Sequence, residues 1–336
     1  MALKAAYLEE TEKLSLREVP EPVAGPGEVL VKIEACGICG SDVHYWRHGR
    51  IGDFVVEAPM VLGHESAGKV VAVGSGVDHL AVGDIVALEP GIPCMKCDHC
   101  RGGHYNLCPR VRFFATPPVN GALQEYVAHP AEWAFRAPDG LSAELASMAE
   151  PLSVGIHAVR LANLQTGQKV LIFGAGIIGI CAMIAAYEAG ASEVTLVDIQ
   201  ENRLERAKQL GATAVINGTT GKPRHQYYDV VFECSGAPAC AEAAVRAARS
   251  GGHVVMIGMG PDDRVQIPLL DAICREVHIH GSFRYRNTYP VALQMIASRQ
   301  ELFSRLITHR FKLEEVEQAF HTAWRDPSAC KVMVTF

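Results

Sequence analysis

The sequence predicts an α/β chain in which a doubly wound parallel sheet follows a β-rich segment. Three observations carry this. From Lys169 onward, apolar strand-like runs alternate with helix-like stretches closed by glycine, the βαβ pattern of a parallel sheet. Gly174-Ala175-Gly176-Ile177-Ile178-Gly179 sets a GxGxxG turn directly after the first of these runs. Before Glu150, short strand-like runs recur at close spacing with Gly and Pro between them.

The elements follow in order. Val29–Ile33, Gly68–Gly74 and Gly83–Leu88 read as strands, and their turn-rich spacing suggests a small barrel or sandwich. Pro117-Pro118 and Asn120-Gly121 mark loops. Character changes near Glu150-Pro151, and Leu152–Leu164 reads as a bridging helix. Lys169–Phe173 is a continuous apolar strand of the parallel kind. Ile177–Ala189 is an apolar helix stopped by Gly190. Glu193–Asp198 is a strand, Asn202–Leu210 a helix closed by Gly211, and Val230–Cys234 and Gly252–Gly258 are further strands. Val291–Ser298 is helix-like and Lys331–Thr335 strand-like. A tail this short cannot bury its own core, so it is expected to return to the first domain.

At 336 residues, the chain exceeds one ordinary domain and predicts two. With 49% hydrophobic and 20% charged residues, it can bury substantial cores. A net charge of -6 argues against a broad nucleic-acid footprint. No apolar run reaches the roughly 20 uncharged residues of a membrane span, and Met1-Ala2-Leu3-Lys4 carries no signal-peptide pattern. The expectation is a cytoplasmic protein with neither nucleic acid nor membrane as partner. Eleven cysteines without a signal fit a reducing compartment. Cys181, Cys234, Cys274 and Cys330 lie in apolar surroundings and are expected as core packing.

The GxGxxG turn predicts a dinucleotide site. Gly174 permits the tight turn, Gly176 lets backbone approach a pyrophosphate, and Gly179 lets helix and strand pack closely. The helix N-terminus favours phosphate charge. Asp198, ending the next strand, can accept from a ribose diol and would repel a 2′-phosphate, so NAD is expected over NADP. Arg203 is open to two readings: it can hold a phosphate, or lie against adenine or ribose.

Two metal clusters are predicted. Cys94, Cys97, Cys100 and Cys108, spaced C-x2-C-x2-C-x7-C, suit a closed structural zinc. Cys39, His64 and Glu65, with Glu150 expected nearby, form a looser mixed set. Such a set leaves room for water or substrate, as a catalytic zinc requires.

These residues resemble the zinc-dependent medium-chain dehydrogenases, most closely the sorbitol and xylitol (polyol) branch. Cys36-Gly37-Ile38-Cys39-Gly40-Ser41-Asp42-Val43-His44-Tyr45-Trp46 and Pro59-Met60-Val61-Leu62-Gly63-His64-Glu65 resemble the two metal-binding turns of that family. Glu150–Ala158 resembles its entry to the cofactor domain. Gly281-Ser282-Phe283-Arg284-Tyr285 with Asn287-Thr288 resembles the polyol dehydrogenase substrate loop, which sets the chain apart from the threonine dehydrogenases. One departure lies between Ile216 and Tyr228, where relatives carry a longer helical crossover.

The resemblance implies a GroES-like catalytic domain at 1–153 and 284–336, with a zinc lobe at about 90–110, and a Rossmann NAD-binding domain at 154–283. It implies catalytic zinc on Cys39, His64 and Glu65. Glu150 would be a direct ligand or would act through water. It implies reversible oxidation of a polyol hydroxyl to a ketose with hydride transfer to NAD. Ser41 and His44 would carry the proton out, with Glu150 as the competing relay. Tyr45, Glu150, Arg284 and Tyr285 would bind substrate hydroxyls, and Phe113 and Thr116 would shape the wall. Ile178, Ile257, Gly258, Met259, Phe283 and Arg284 would contact the dinucleotide. The implied assembly is a homotetramer.

Overall fold

The computed structural model describes residues 3–260 and 264–336. These form two compact units, 1–150 with 289–336, and 151–288.

In the first unit, β1 (Leu3–Glu10) and β2 (Lys13–Val19) form an antiparallel pair. β3 (Glu28–Ile38) alternates as a half-buried strand does, and Val29, Val31 and Ile33 are fully buried. It runs past the expected Ile33 to Ile38 because its far half pairs too. α1 (Gly40–His48) follows at once. β4 (Glu65–Val73) lies antiparallel to β3, with Gly37 opposite Glu65. β5 (Ile85–Leu88) pairs with β4, β6 (Tyr126–Pro130) pairs with β3, and β7 (Ala134–Arg136) pairs with β5. Trp46, Leu62, Val70 and Phe320 are among the residues filling this unit's core.

α2 (Ala149–Leu161) sits three residues earlier than the sequence suggests. Pro151 falls in its first turn, where the missing N–H goes unnoticed. The helix stops at Leu161 because Asn163 turns left-handed, at φ 50°.

The second unit is a parallel sheet. β8 (Lys169–Phe173), α3 (Ile177–Glu188), β9 (Glu193–Asp198), α4 (Glu201–Gln209) and β10 (Ala214–Asn217) make its first half. β11 (Tyr228–Glu233), α5 (Pro238–Ala247), β12 (Ala248–Met256), α6 (Leu269–Cys274) and β13 (His278–Gly281) make its second. Strand order is β10-β9-β8-β11-β12-β13, all parallel, which is the doubly wound order with its switch between β8 and β11. Residues 218–227 cross from β10 to β11 without a helix. An Asn217 carbonyl and side-chain turn opens this link, and bonds from the Gln226 and Tyr227 amides to α5 close it. β12 ends at Met256 rather than Gly258, because the Ile257 and Gly258 amides both turn to the Glu233 carbonyl. Cys274 departs from expectation: it is exposed, at the end of a helix that also exposes Leu269, Leu270 and Ile273.

The chain then returns to the first unit through α7 (Tyr289–Ser298), β14 (Ile307–Lys312), α8 (Val316–Arg325) and β15 (Lys331–Thr335). β15 pairs with β3, setting Val332 opposite Ile38.

Candidate metal centres and nucleotide site

Strand pairing builds the first centre. Cys39 lies just beyond β3 at the start of α1, and Glu65 opens β4 opposite Gly37, with His64 just before it. Ligand atoms of Cys39, His64 and Glu65 therefore converge within 4.8 Å of one another. Gly37 is required here: a Cβ on it would stand 2.1 Å from Glu65 Oε2. Glu150, buried in the first turn of α2, is outside this donor set.

Two residues the sequence reading missed hold the donors. Asp42 is buried on α1. Its Oδ2 accepts from the Cys39 amide at 3.0 Å, and its Oδ1 accepts from the Gly63 amide at 3.0 Å. Oδ1 also lies 3.3 Å from His64 Nδ1, which leaves Nε2 as the nitrogen facing away from that carboxylate. Burial works against a charged His64, but the Asp42 and Cys39 charges outweigh it and hold its pKa well above the usual histidine value. Lys331, at the start of β15, donates to both oxygens of Glu65 and to the Ile38 carbonyl. The sequence offers only weak traces of them: an acid three residues after Cys39, and a charge opening an apolar strand. The donors fit a cation. A half-buried thiol, a buried imidazole and a buried carboxylate meet here. Lys331 answers the Glu65 charge, and binding a metal would displace the proton on the imidazole or thiol.

The Phe113 ring lies 5.8 Å from that of His64, and the Thr116 amide bonds the Phe113 carbonyl in the same turn. Ser41 is half-buried and His44 exposed, three residues apart on α1. Desolvation of its ring, then the charges of His48 and Arg47, hold His44 below the usual histidine value. Tyr45 is buried in the core beside Trp46. Glu89 is a further buried acid: burial pushes it up to about 8, Tyr105 donates to it at 2.8 Å, and the Glu150 charge adds to the rise.

Cys94, Cys97, Cys100 and Cys108 also converge within 4.8 Å. Cys97 and Cys100 sulfurs are 3.4 Å apart, and Cys94 accepts from the Lys96 amide and from Arg110. The Lys96 amide is the main cause that brings Cys94 down to about 5, while burial pushes Cys100 up to about 12. Four thiols this close cannot all ionise alone, and a divalent cation resolves that conflict.

In the second unit, the glycine turn caps the C-terminal end of β8. Gly176 is the residue before α3, so the first helical amides face outward without a side-chain cap. A Cβ on Gly179 would meet the Gly174 carbonyl oxygen at 1.8 Å, so only glycine allows this packing. Asp198, at the end of β9, accepts from the Ala175 amide at 2.7 Å and the Gln200 amide at 3.0 Å. An Arg203 guanidinium nitrogen is 3.9 Å from it. Ile178, Ile257 and Gly258 are half-buried around this end of the sheet and Met259 is exposed. Past β13, the loop carries left-handed Arg284 and Asn287, at φ 55° and 53°, a strain typical of functional segments. The Arg284 guanidinium lies 4.7 Å over the Phe283 ring, Tyr285 is buried, and Arg160 pins the loop by donating to the Asn287 carbonyl at 2.7 Å.

Comparison with known proteins gives consistent matches. Residues 25–139 match the alcohol dehydrogenase GroES-like domain, and residues 178–298 match the zinc-binding dehydrogenase domain. The chain is 45% identical to a sorbitol dehydrogenase of Gallus gallus, over 93% of this chain and 90% of that one. It is 46% identical to a sorbitol dehydrogenase of Arabidopsis thaliana, over 98% and 94%. A solved Escherichia coli oxidoreductase/dehydrogenase of unknown specificity superposes with a TM-score of 0.93 at 37% identity, covering 100% of this chain and 99% of that one.

Proposed function

We propose, from the premise that this chain belongs to the zinc-dependent dehydrogenase family, that it oxidises a secondary hydroxyl of a polyol to a ketose, reversibly, with NAD as hydride acceptor. The observation that carries the reading is the convergence of Cys39, His64 and Glu65 beside a buried carboxylate, Asp42, that orients the histidine. Sorbitol- or xylitol-type polyols are the proposed substrates. Support comes from the sorbitol dehydrogenase relatives and from the strained loop at Phe283 to Asn287.

Cys39, His64 and Glu65 would hold the catalytic zinc, and Cys94, Cys97, Cys100 and Cys108 the structural one. When bound, zinc supplies Lewis acidity toward an alcohol oxygen, and NAD supplies the hydride acceptor. Everything else falls to side chains. Ser41 accepts the hydroxyl proton as its own passes to His44, one turn along the same helix face, which releases it to water. A depressed pKa suits His44 to accept that proton at neutral pH. Glu150, outside the donor set, acts through water and is the rival relay. Arg284, Tyr285 and Tyr45 offer partners for polyol hydroxyls, and Phe113 and Thr116 form an apolar wall. Gly174, Gly176 and Gly179 admit the pyrophosphate, and Asp198 selects the ribose diol. Arg203, Ile178, Ile257, Gly258, Met259, Phe283 and Arg284 flank the dinucleotide. A homotetramer in the cytoplasm completes the proposal. It is supported by the family resemblance and, for location, by free cysteines throughout.

The test is NADH formation with xylitol, sorbitol, galactitol and L-threonine, run beside zinc-stripped protein. Zinc-dependent turnover of a polyol is expected. Turnover of threonine alone would move the assignment to a threonine dehydrogenase.

A further inference from the structure

We propose that Glu233, at the C-terminal end of β11, is a positioning residue for the dinucleotide. Its carboxylate holds the Ser235–Gly236 turn, and that turn sets the two backbone segments that flank the cofactor. This role rests on the NAD reading above.

Glu233 is 3% exposed. A carboxylate taken out of water needs donors, and the chain just after it supplies them. Oε1 accepts from the Ser235 amide at 2.8 Å, from the Gly236 amide at 3.1 Å and from the Ser235 hydroxyl. Oε2 shares the Gly236 amide at 3.1 Å. The Ser235 hydroxyl oxygen in turn accepts from the Ala237 amide at 3.1 Å, immediately ahead of α5. One buried carboxylate thus fixes the amides of Ser235, Gly236 and Ala237, the last through the hydroxyl.

The turn so fixed touches both flanks of the site. On one side, β8 and β11 pair with Phe173 opposite Glu233, and the Cys234 amide donates to the Phe173 carbonyl at 2.8 Å. A Cβ on Gly174 would lie 3.2 Å from the Ser235 nitrogen. On the other side, the Glu233 carbonyl accepts from the Ile257 and Gly258 amides at 2.8 and 2.9 Å. A Cβ on Gly258 would stand 2.2 Å from the Gly236 nitrogen, and one on Gly260 would stand 2.3 Å from the Gly236 carbonyl oxygen. Gly236 itself is left-handed, at φ 69°, where a side chain is strained. Backbone therefore packs on backbone, too closely at Gly258 and Gly260 to admit a methyl group. β8 and β11 bound the switch point, where a doubly wound sheet takes its nucleotide. A turn displaced there carries the glycine loop and the Ile257–Met259 backbone with it.

Glu233→Gln keeps the shape of the side chain but sets an NH2 group among amides that can only donate. NADH binding to the zinc-loaded protein is followed by nicotinamide fluorescence. Zinc content, thermal midpoint and steady-state kinetics are measured on the same samples. Kd for NADH and KM for NAD are expected to rise about 10–100-fold, the range for hydrogen bonds to a charged group. Zinc is retained, and kcat at saturating NAD is not lowered. A merely structural role gives the opposite split, since a smaller folded fraction lowers kcat and leaves KM unchanged. That opposite split, or an NADH affinity equal to the parent's in folded Glu233→Gln, would overturn the proposal. If Glu233→Gln does not fold, Ser235→Ala decides. It removes only the hydroxyl link, on an exposed residue, and should weaken NADH about 2–10-fold; parent-like affinity would overturn the proposal. The binding readout does not depend on which alcohol is oxidised. A parent protein that binds no NADH would overturn the NAD reading itself, and this role with it.

Discussion

Lys331 Nζ lies 2.7 Å from Glu65 Oε1 and 2.5 Å from Oε2, and each side chain is 1% exposed. The ammonium is fully satisfied, since the Ile38 carbonyl accepts at 3.0 Å. A buried pair of this kind adds little over an apolar pair, but breaking it strands a charge. Lys331→Met is therefore expected to destabilise metal-free protein by about 3–5 kcal/mol. With zinc bound, the loss should be smaller, because the ion answers the Glu65 charge. Urea unfolding of apo and loaded protein checks this. Equal losses in both states would mean that Glu65 does not answer to the metal.

Asp42 is expected to act through His64. Asp42→Asn keeps an acceptor for one amide but removes the charge that fixes the imidazole. Zinc affinity at the Cys39–His64–Glu65 centre should fall about 10–100-fold, the usual effect of removing a ligand's carboxylate partner. Chelator competition measures it, and the four-cysteine centre should keep its zinc.

Cys100→Ser is expected to release the structural zinc and lower the thermal midpoint, while polyol turnover below that midpoint falls far less than in Cys39→Ser. The reason is separation of roles: one centre ties a loop, the other takes part in chemistry. Zinc content, melting and turnover on the same samples decide it.

Asp198→Ala should narrow the preference for NAD over NADP. A hydrogen bond to a charged group contributes about 1.5–3 kcal/mol, so the ratio of kcat/KM values is expected to shift roughly 10–100-fold. Asp198 also braces the glycine turn through the Ala175 amide, so efficiency with NAD should fall as well. An unchanged ratio would leave Asp198 a turn brace and nothing more.

Stability should depend on pH through two buried neighbours. Burial brings His129 down to about 4, and its Nε2 bonds the Glu89 carbonyl at 3.1 Å. The unfolded chain takes up a proton there below about 6.5. Stability from His129 is thus lost as pH falls from about 6.5 towards about 4. Glu89 has the opposite sense. Its folded value of about 8 lies above that of the unfolded carboxyl, so its contribution is full in acid and fades as pH rises towards about 8. Unfolding free energy measured across this range should be flattened on the acid side by His129→Gln and on the alkaline side by Glu89→Gln.

The parallel sheet was legible because its strands are continuously apolar and its turns carry glycine: Lys169–Phe173 and Glu193–Asp198 were bounded correctly from sequence alone. Both metal clusters were legible for a different reason, the small set of residue types that bind zinc at fixed spacing. Asp42 and Lys331 were not. One looks like an ordinary helix-start acid, and the other reaches Glu65 only because β15 pairs with β3. Cys274 was misjudged because an apolar neighbourhood in sequence, Leu269 to Ile273, turned out to be exposed in space. The helix expected over Leu152–Leu164 lies at Ala149–Leu161 instead, because a proline such as Pro151 is tolerated within a first turn and does not mark where the helix begins.

The partnership of Glu65 and Lys331 spans 266 residues of chain. A ribosome adding about 5–20 residues each second needs roughly 13–50 s to cover that distance. Throughout that interval, a nascent Glu65 has no ammonium to meet. Metal arriving early would find the carboxylate uncommitted; metal arriving late must share it with a lysine already in place. Two orders of assembly are therefore open to the first unit, metal before lysine or lysine before metal, and zinc supply during translation would choose between them.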